Sequence, residues 1–221
     1  TGSVAQRLAD TPGVARTILD AARAARGMPG ADPRAMSHSW LFTGPPGSGR
    51  SLAALDFAAA LMCTDSEEPG CGRCEACRAV LETKQHTDLV LVDPQEVIIP
   101  VDTVREVIGR AASLPTVAPW RVVIFNNADR LNNNGANALL KTVEEPPART
   151  VIIMCAPSDA PEDFSQTLRS RCRHLYIPSP SVESITAQLV SEGASDHDAH
   201  LAALTSLRHV GRARRLVNDP A

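Results

Sequence analysis

Aromatic side chains are scarce in this chain: two Trp, one Tyr and four Phe among 221 residues. Proteins that hold single-stranded nucleic acid by stacking its bases need a platform of exposed rings, so this scarcity speaks against that class. No run of about 18 consecutive apolar residues occurs, and a membrane-spanning helix is therefore not expected. The N-terminus lacks the succession of basic, apolar and small residues that marks a signal peptide, which points to a cytoplasmic location. A dominant charge is missing too. With 22 Lys+Arg against 25 Asp+Glu, the formal net charge is −3, and no global basic field draws in a polyanion. Internal repeats and low-complexity tracts are also absent.

What is present is enough for a packed core. Hydrophobic residues make up 43% of the chain, and its length suits one large domain plus a small one. Six cysteines occur, and their spacing matters more than their number. Cys155 and Cys172 stand alone, whereas Cys63-x7-Cys71-x2-Cys74-x2-Cys77 crowds four thiols into one short segment. A disulfide framework is not expected in a cytosolic chain of this size; clustered pairs there favour metal. Four thiolates in tetrahedral reach suit one structural zinc ion with a closed shell, and Gly70 and Gly72 supply the tight turns that converging sulfurs need. Buried free cysteines and an iron–sulfur cluster are the competing readings.

Along the chain, residues 14–26 place Val14, Ile18, Ala21, Ala22 and Ala25 on one helical face. Ser39–Thr43 reads as a buried strand and Leu52–Met62 as an Ala/Leu-rich helix. Further strands are expected at 88–93, Arg121–Phe125, Thr150–Cys155 and His174–Ile177, and a helix at Gly135–Glu144. Thr103 and Glu106 suit a capping box at the start of a helix whose inner face carries Val104, Val107, Ile108 and Ala111. Five apolar strands separated by helices predict an α/β fold with a five-stranded parallel sheet covered on both faces. After Pro178 and Pro180 the pattern becomes purely helical through about Asn218. The expected division is therefore a core over 1–179, carrying the cysteine module at 63–77, and a small helical domain over 180–221.

Between the first strand and the helix after it lies Gly44-Pro45-Pro46-Gly47-Ser48-Gly49-Arg50-Ser51, which fits the phosphate-binding pattern G-x-x-x-x-G-K-[ST] with Arg50 in place of Lys. Gly44, Gly47 and Gly49 let backbone N–H groups turn inward around phosphate oxygens at a helix N-terminus, and Ser51 would hold the metal. Arg50 keeps the charge on a longer, planar fork. The bland alternative is a Gly/Pro-rich turn without ligand, so ATP or ADP binding stays open here. Hydrolysis needs an acid at the end of a neighbouring strand to hold Mg²⁺ and commonly a second to polarise water. There the chain has Asn126 and Asn127, amides that bring no negative charge and take no proton. The alternative is that Asp129 supplies the acid.

A phosphate loop, a long helix and a cysteine cluster inserted after it resemble the AAA+ clamp-loader subunits of bacterial DNA polymerase III. Three more segments carry the resemblance: Asn137-Ala138-Leu139-Leu140-Lys141-Thr142-Val143-Glu144-Glu145-Pro146-Pro147, the Ser170-Arg171-Cys172 signature, and His209-Val210-Gly211-Arg212-Ala213. Motor subunits of the gamma/tau kind keep the loop lysine, both acids and a lid arginine. Here Arg50, Asn126, Asn127 and Gly211 stand in those places, with Arg212 adjacent to Gly211, and these departures resemble the delta-prime stator class. The resemblance implies a five-stranded AAA+ core, a helical lid, and a C-terminal collar domain absent from these residues, hence a truncated chain. It implies that Arg171 reaches in trans into a neighbour's ATP site, with gamma/tau and delta subunits, a sliding clamp and primer-template DNA as partners in the assembly. Without that context Arg171 would read as a solvated surface residue. The rival functions are an active gamma/tau-type ATPase and a zinc-dependent nucleic-acid-binding module.

Overall fold

The computed structural model describes residues 2–218. Five strands, β1 (Ser39–Thr43), β2 (Leu89–Val92), β3 (Arg121–Phe125), β4 (Thr150–Ala156) and β5 (Arg173–Tyr176), form one sheet in the order β2-β3-β4-β1-β5. Every pairing is parallel; Ser39 lies opposite Ile152, Trp40 opposite Arg173 and Val122 opposite Leu89. The apolar runs of β1, β3 and β4 are buried along their whole length, as strands covered on both faces must be. β5 departs from the fully apolar pattern expected. It is an edge strand, largely exposed, and Arg173 lies over the Trp40 ring at 5.0 Å, a charge that blunts a free edge.

Alternate strand residues feed two cores. Trp40, Phe42, Val122, Ile124, Val151 and Ile153 face one layer, formed by α2 (Pro12–Ala25) and α3 (Arg50–Met62). Leu41, Val123, Phe125, Ile152 and Met154 face the other, formed by α5 (Val101–Ala111) and α6 (Asn133–Glu144). The scarce rings are core material rather than a stacking platform: Trp40 packs edge-on to Phe57 at 5.2 Å, and Phe57 stacks with Phe42 at 6.3 Å. α3 is buried from Ala53 to Met62, because its alanines let the helix lie close against β1, β3 and β4. α5 begins at Val101 after an extended Pro100, so Thr103 and Glu106 sit inside the helix rather than capping it. Pro100, its φ fixed by the ring, stands at the N-cap position and offers the first-turn N–H groups no side-chain cap.

Two short helices were invisible to periodicity. α1 (Val4–Arg7) lies against α3, and α4 (Glu75–Arg78), continued by a wide turn over Ala79–Thr83, carries the end of the cysteine segment. A third, α7 (Gln166–Arg169), precedes β5. Beyond β5, α8 (Val182–Ser191), α9 (Asp196–Thr205) and α10 (Val210–Asn218) pack around a separate small core of Ile185, Leu189, Ala199, Ala202, Ala203 and Ala213. No helix among the described residues is long and apolar enough to cross a membrane.

Candidate functional site

β1 lies between β4 and β5, so the loop leaving its C-terminal end opens where strand order reverses, the usual ligand crevice of such sheets. Gly47 and Gly49 take φ of +82° and +91°, conformations that favour glycine and that roll the loop around the start of α3. Inside this loop Arg50 does not point outward: its Nη1 donates to the carbonyl of Gly44 in the same loop. Burial lowers the pKa of Arg50, opposed by nearby Cys155, Asp129 and Asp163. The outer face of Gly47 is covered by His209, against whose ring a Cβ at that position would collide. Ser48 Oγ is buried without a hydrogen-bond partner among the described residues, tucked against Gly44.

At the end of β3 the backbone N–H of Asn126 donates to Val92 O at 2.8 Å, and Asn126 Oδ1 is buried without a partner among the described residues. Asn127 turns left-handed, φ +52°, into a short 3₁₀ turn, a conformation asparagine tolerates better than most residues. Asp129 sits within that turn and is exposed, past the strand end. The strand therefore ends in two amides, as its residues indicate. Cys155 on β4 lies in the core beneath the loop, and burial pushes its thiol up to about 12.

The four clustered cysteines converge. The Sγ atoms of Cys63, Cys71, Cys74 and Cys77 all lie within 4.8 Å of one another, with Cys74 and Cys63 sulfurs 3.9 Å apart. Four Zn–S bonds of 2.3 Å in a tetrahedron place sulfurs about 3.8 Å apart, so this set could close on such an ion with shifts of about 1 Å or less. Backbone N–H groups donate to the sulfurs: Asp65 and Cys71 to Cys63 at 3.4 and 3.5 Å, Cys74 to Cys71 and Cys77 to Cys74 at 3.4 Å each. N–H groups donating to the sulfurs fix their orientation and favour thiolate. The left-handed turns at Gly70 and Gly72, φ +77° and +73°, bring the sulfurs round. The module is tied to the N-terminus, since Val4 N donates to Gly70 O at 2.8 Å and Arg7 pairs with buried Asp56 at 2.5 Å.

Arg171 lies in the turn between α7 and β5, exposed. Its Nε donates to Glu144 at the end of α6, and its Nη1 donates to Thr167 O at 2.8 Å and Ser170 Oγ at 3.0 Å. Arg169 points elsewhere, paired with Asp159, and Asp159 also approaches His174 Nδ1 at 3.7 Å. His174 in turn contacts Thr43 Oγ1 at 2.5 Å. Cys172 packs into the second core, where burial pushes its thiol up to about 12. The structure thus gathers Gly44, Gly47, Gly49, Arg50 and Ser51 in one loop and the four cysteines in one cluster. Arg171 belongs to neither group, and its hydrogen-bond partners are Glu144, Thr167 and Ser170.

Residues 31–181 match the family model described as DNA polymerase III, delta subunit, which is more than half of the chain. The chain belongs to this DNA polymerase III subunit family. It is 34% identical to DNA polymerase III subunit delta' of Pseudomonas aeruginosa over 165 residues, 72% of this chain and 49% of that protein. It is 32% identical to subunit gamma/tau of Mycobacterium tuberculosis over 174 residues, 76% of this chain and 30% of that protein. The chain spans about half the length of the delta' relatives it matches. The RuvB Holliday junction branch migration motor of Thermotoga maritima superposes with a TM-score of 0.59 at 17% identity, over 94% of this chain and 60% of that one; at that identity it speaks for the fold alone. The fold is the AAA+ type that the motifs imply.

Two features of the site in this family member escaped the sequence reading. His209 covers Gly47, and with Arg212, Arg215 and Leu216 it lines a cleft of about 320 Å³. Glu144, at the helix end and inside the segment that carries the resemblance, binds Arg171, a pairing the sequence alone does not indicate. The available signal for Glu144 was its sign: a carboxylate in the last turn of a helix sits at the unfavourable end of the dipole.

Proposed function

We propose that this chain is the stator of a bacterial clamp loader: it hydrolyses no ATP itself and supplies Arg171 in trans to the ATP site of a neighbouring gamma/tau-type motor subunit. The observation that carries this reading is a contrast within one chain. The strand end that should hold Mg²⁺ and a water-polarising acid carries Asn126 and Asn127, while Arg171 stands exposed with one guanidinium nitrogen, Nη2, unspoken for among the described residues. A fixed cation beside a transferring phosphoryl group offsets charge that builds in the transition state, worth roughly 10³–10⁵ in rate in enzymes of that kind. Arg50 turned back on Gly44, with His209 over Gly47, supports a loop poorly arranged for nucleotide. Residues 1–179 would act as the nucleotide-binding-type core and 180–221 as a lid, residues 1 and 219–221 lying outside the described residues. One zinc ion on Cys63, Cys71, Cys74 and Cys77 would serve structure only, since four protein thiolates leave no open coordination position. Gamma/tau and delta subunits would be the direct partners, with the sliding clamp and primer-template DNA met through the assembly, in the cytoplasm.

The test uses the full-length chain, alone and reconstituted with those partners. Alone it should turn over no ATP above background, whereas turnover abolished by Ser51→Ala would return the chain to the motor class. In the assembly, Arg171→Ala should leave complex formation intact and lower DNA-stimulated ATP turnover at least about threefold. Arg171→Lys should rescue poorly, because an ammonium lacks the planar, multi-donor fork. Unchanged turnover at matched assembly would make Arg171 a surface residue.

A further inference from the structure

Glu144 closes α6 and is followed by Glu145, Pro146 and Pro147, so the helix ends on two carboxylates where its own dipole favours cations. Residues that break a local rule mark places where something else holds them. What holds Glu144 is Arg171, 27 residues further along the chain. The carboxylate takes Nε, while Thr167 O and Ser170 Oγ take Nη1, so two of three guanidinium nitrogens are fixed from two different elements. Nη2 is the nitrogen for which no hydrogen-bond partner stands among the described residues.

We propose that Glu144 is a positioning residue for Arg171, holding the guanidinium plane so that its Nη2 edge faces outward toward a phosphate oxygen of an adjoining subunit. The proposal rests on the trans-arginine reading above and adds the residue that aims the arginine. A long side chain loses rotamer freedom when it engages a partner, and a group already held in the productive orientation loses less. A carboxylate beside a phosphate-binding cation also opposes it electrostatically. Here both partners are about one-third to two-fifths exposed, 35% for Arg171 and 41% for Glu144, so solvent screens that opposition and the gain in orientation dominates. A charge-only effect and a positioning effect therefore differ in sign. Removing Glu144 would raise motor turnover in the first case and lower it in the second.

The experiment uses the full-length chain reconstituted with gamma/tau-type and delta-type subunits, in five forms: unaltered, Glu144→Ala, Glu144→Gln, Arg171→Ala and the Glu144→Ala/Arg171→Ala double variant. DNA-stimulated ATP turnover is read across ATP concentration. Glu144→Ala should lower kcat by about threefold to tenfold with KM for ATP changed less than about twofold, because orientation is used in the transition state. Glu144→Gln keeps an acceptor for Nε and should retain about half or more of kcat. The double variant should be no worse than Arg171→Ala, since the two residues act as one unit. A Glu144→Ala assembly as fast as the unaltered one, or faster, beside a slow Arg171→Ala assembly would overturn the positioning role and leave the trans arginine standing. Losses that add in the double variant would overturn it as well. No loss with Arg171→Ala would remove both readings at once. Independently of assembly, hydrogen exchange at Arg171 Nε–H, followed by ¹⁵N spectroscopy of the isolated chain, should accelerate in Glu144→Ala and not in Lys141→Ala. Equal exchange in all three chains would show that the pair does not form.

Discussion

At the residue scale the most consequential group outside the candidate site is Asp88, just before β2. Its carboxylate is fully buried and accepts from the backbone N–H groups of Thr116, Val117 and Ala118, each at 2.8 Å, and from Arg121 Nη2 at 3.1 Å. Arg121 is itself 7% exposed and donates to the carbonyls of Arg110 and Ser113 at 2.6 Å, so one ion pair pins a whole loop to the sheet. Burial alone would push the Asp88 carboxyl up; the three N–H groups and Arg121 outweigh it and hold it down at about 2. A depressed folded pKa stabilises above the unfolded value and loses that stability as pH falls through the folded one. The contribution, about 2.5 kcal/mol, should therefore be complete above about pH 5 and be lost progressively as pH falls through about 2. Urea unfolding of Asp88→Asn should show a flatter pH dependence across that window than the unaltered chain. Asp88→Ala strands a buried guanidinium and three N–H groups and should cost about 3–5 kcal/mol in the same measurement. Sequence reading placed Asp88 at the head of a strand and gave Arg121 no partner. The reason is physical: an ion pair spanning 33 positions leaves no local spacing, whereas the cysteines at 63, 71, 74 and 77 betray a site by their closeness in sequence.

At the element scale the cysteine segment and α1 form one unit. Gly70 has no room for a side chain because Val4 packs against it, and Gly70 O is the acceptor for Val4 N. Binding energy at closed thiolate sites is largely folding energy. Protein purified without chelator should carry close to one equivalent of zinc by elemental analysis, and a strong chelator should expose residues 3–8 together with 63–78 to limited proteolysis while β3 and β4 stay protected. Retained protection of both segments after complete metal removal would mean that the sulfurs merely pack. Elements themselves were legible in proportion to their length and periodicity. Runs such as RVVIF and TVIIMC announce buried parallel strands, and β3 follows its expected limits while β4 extends one residue further, to Ala156. The four-residue helices α1, α4 and α7 are too short for a 3.6-residue period to register. α5 starts earlier than Thr103 and Glu106 suggest, because their capping-box spacing falls inside a helix that Pro100 leads in without any side-chain cap.

At the scale of the whole molecule, α8–α10 are held to the rest by few polar ties: Ser184 Oγ donates to Asp10 at 2.5 Å, and Arg208 donates to Pro180 O at 2.8 Å and Ser179 O at 2.9 Å, with His209 resting on the phosphate loop. Their core is mostly alanine and buries little apolar area per residue. Native-state hydrogen exchange should find the amides of α8–α10 opening at least about 2 kcal/mol below those of β3 and β4. Equal protection would mean that the three helices unfold only with the sheet. The sheet order carries a further consequence, for birth rather than for function. β1 is made early, but its neighbours are β4 and β5, so Ser39 waits for Ile152 and Trp40 for Arg173. On a ribosome adding about 5–20 residues per second, that wait lasts on the order of ten seconds, during which an apolar strand and the alanine face of α3 have no permanent cover. Nascent chains halted before residue 150 would present that surface to chaperones and proteases, while chains extended past Tyr176 could close it.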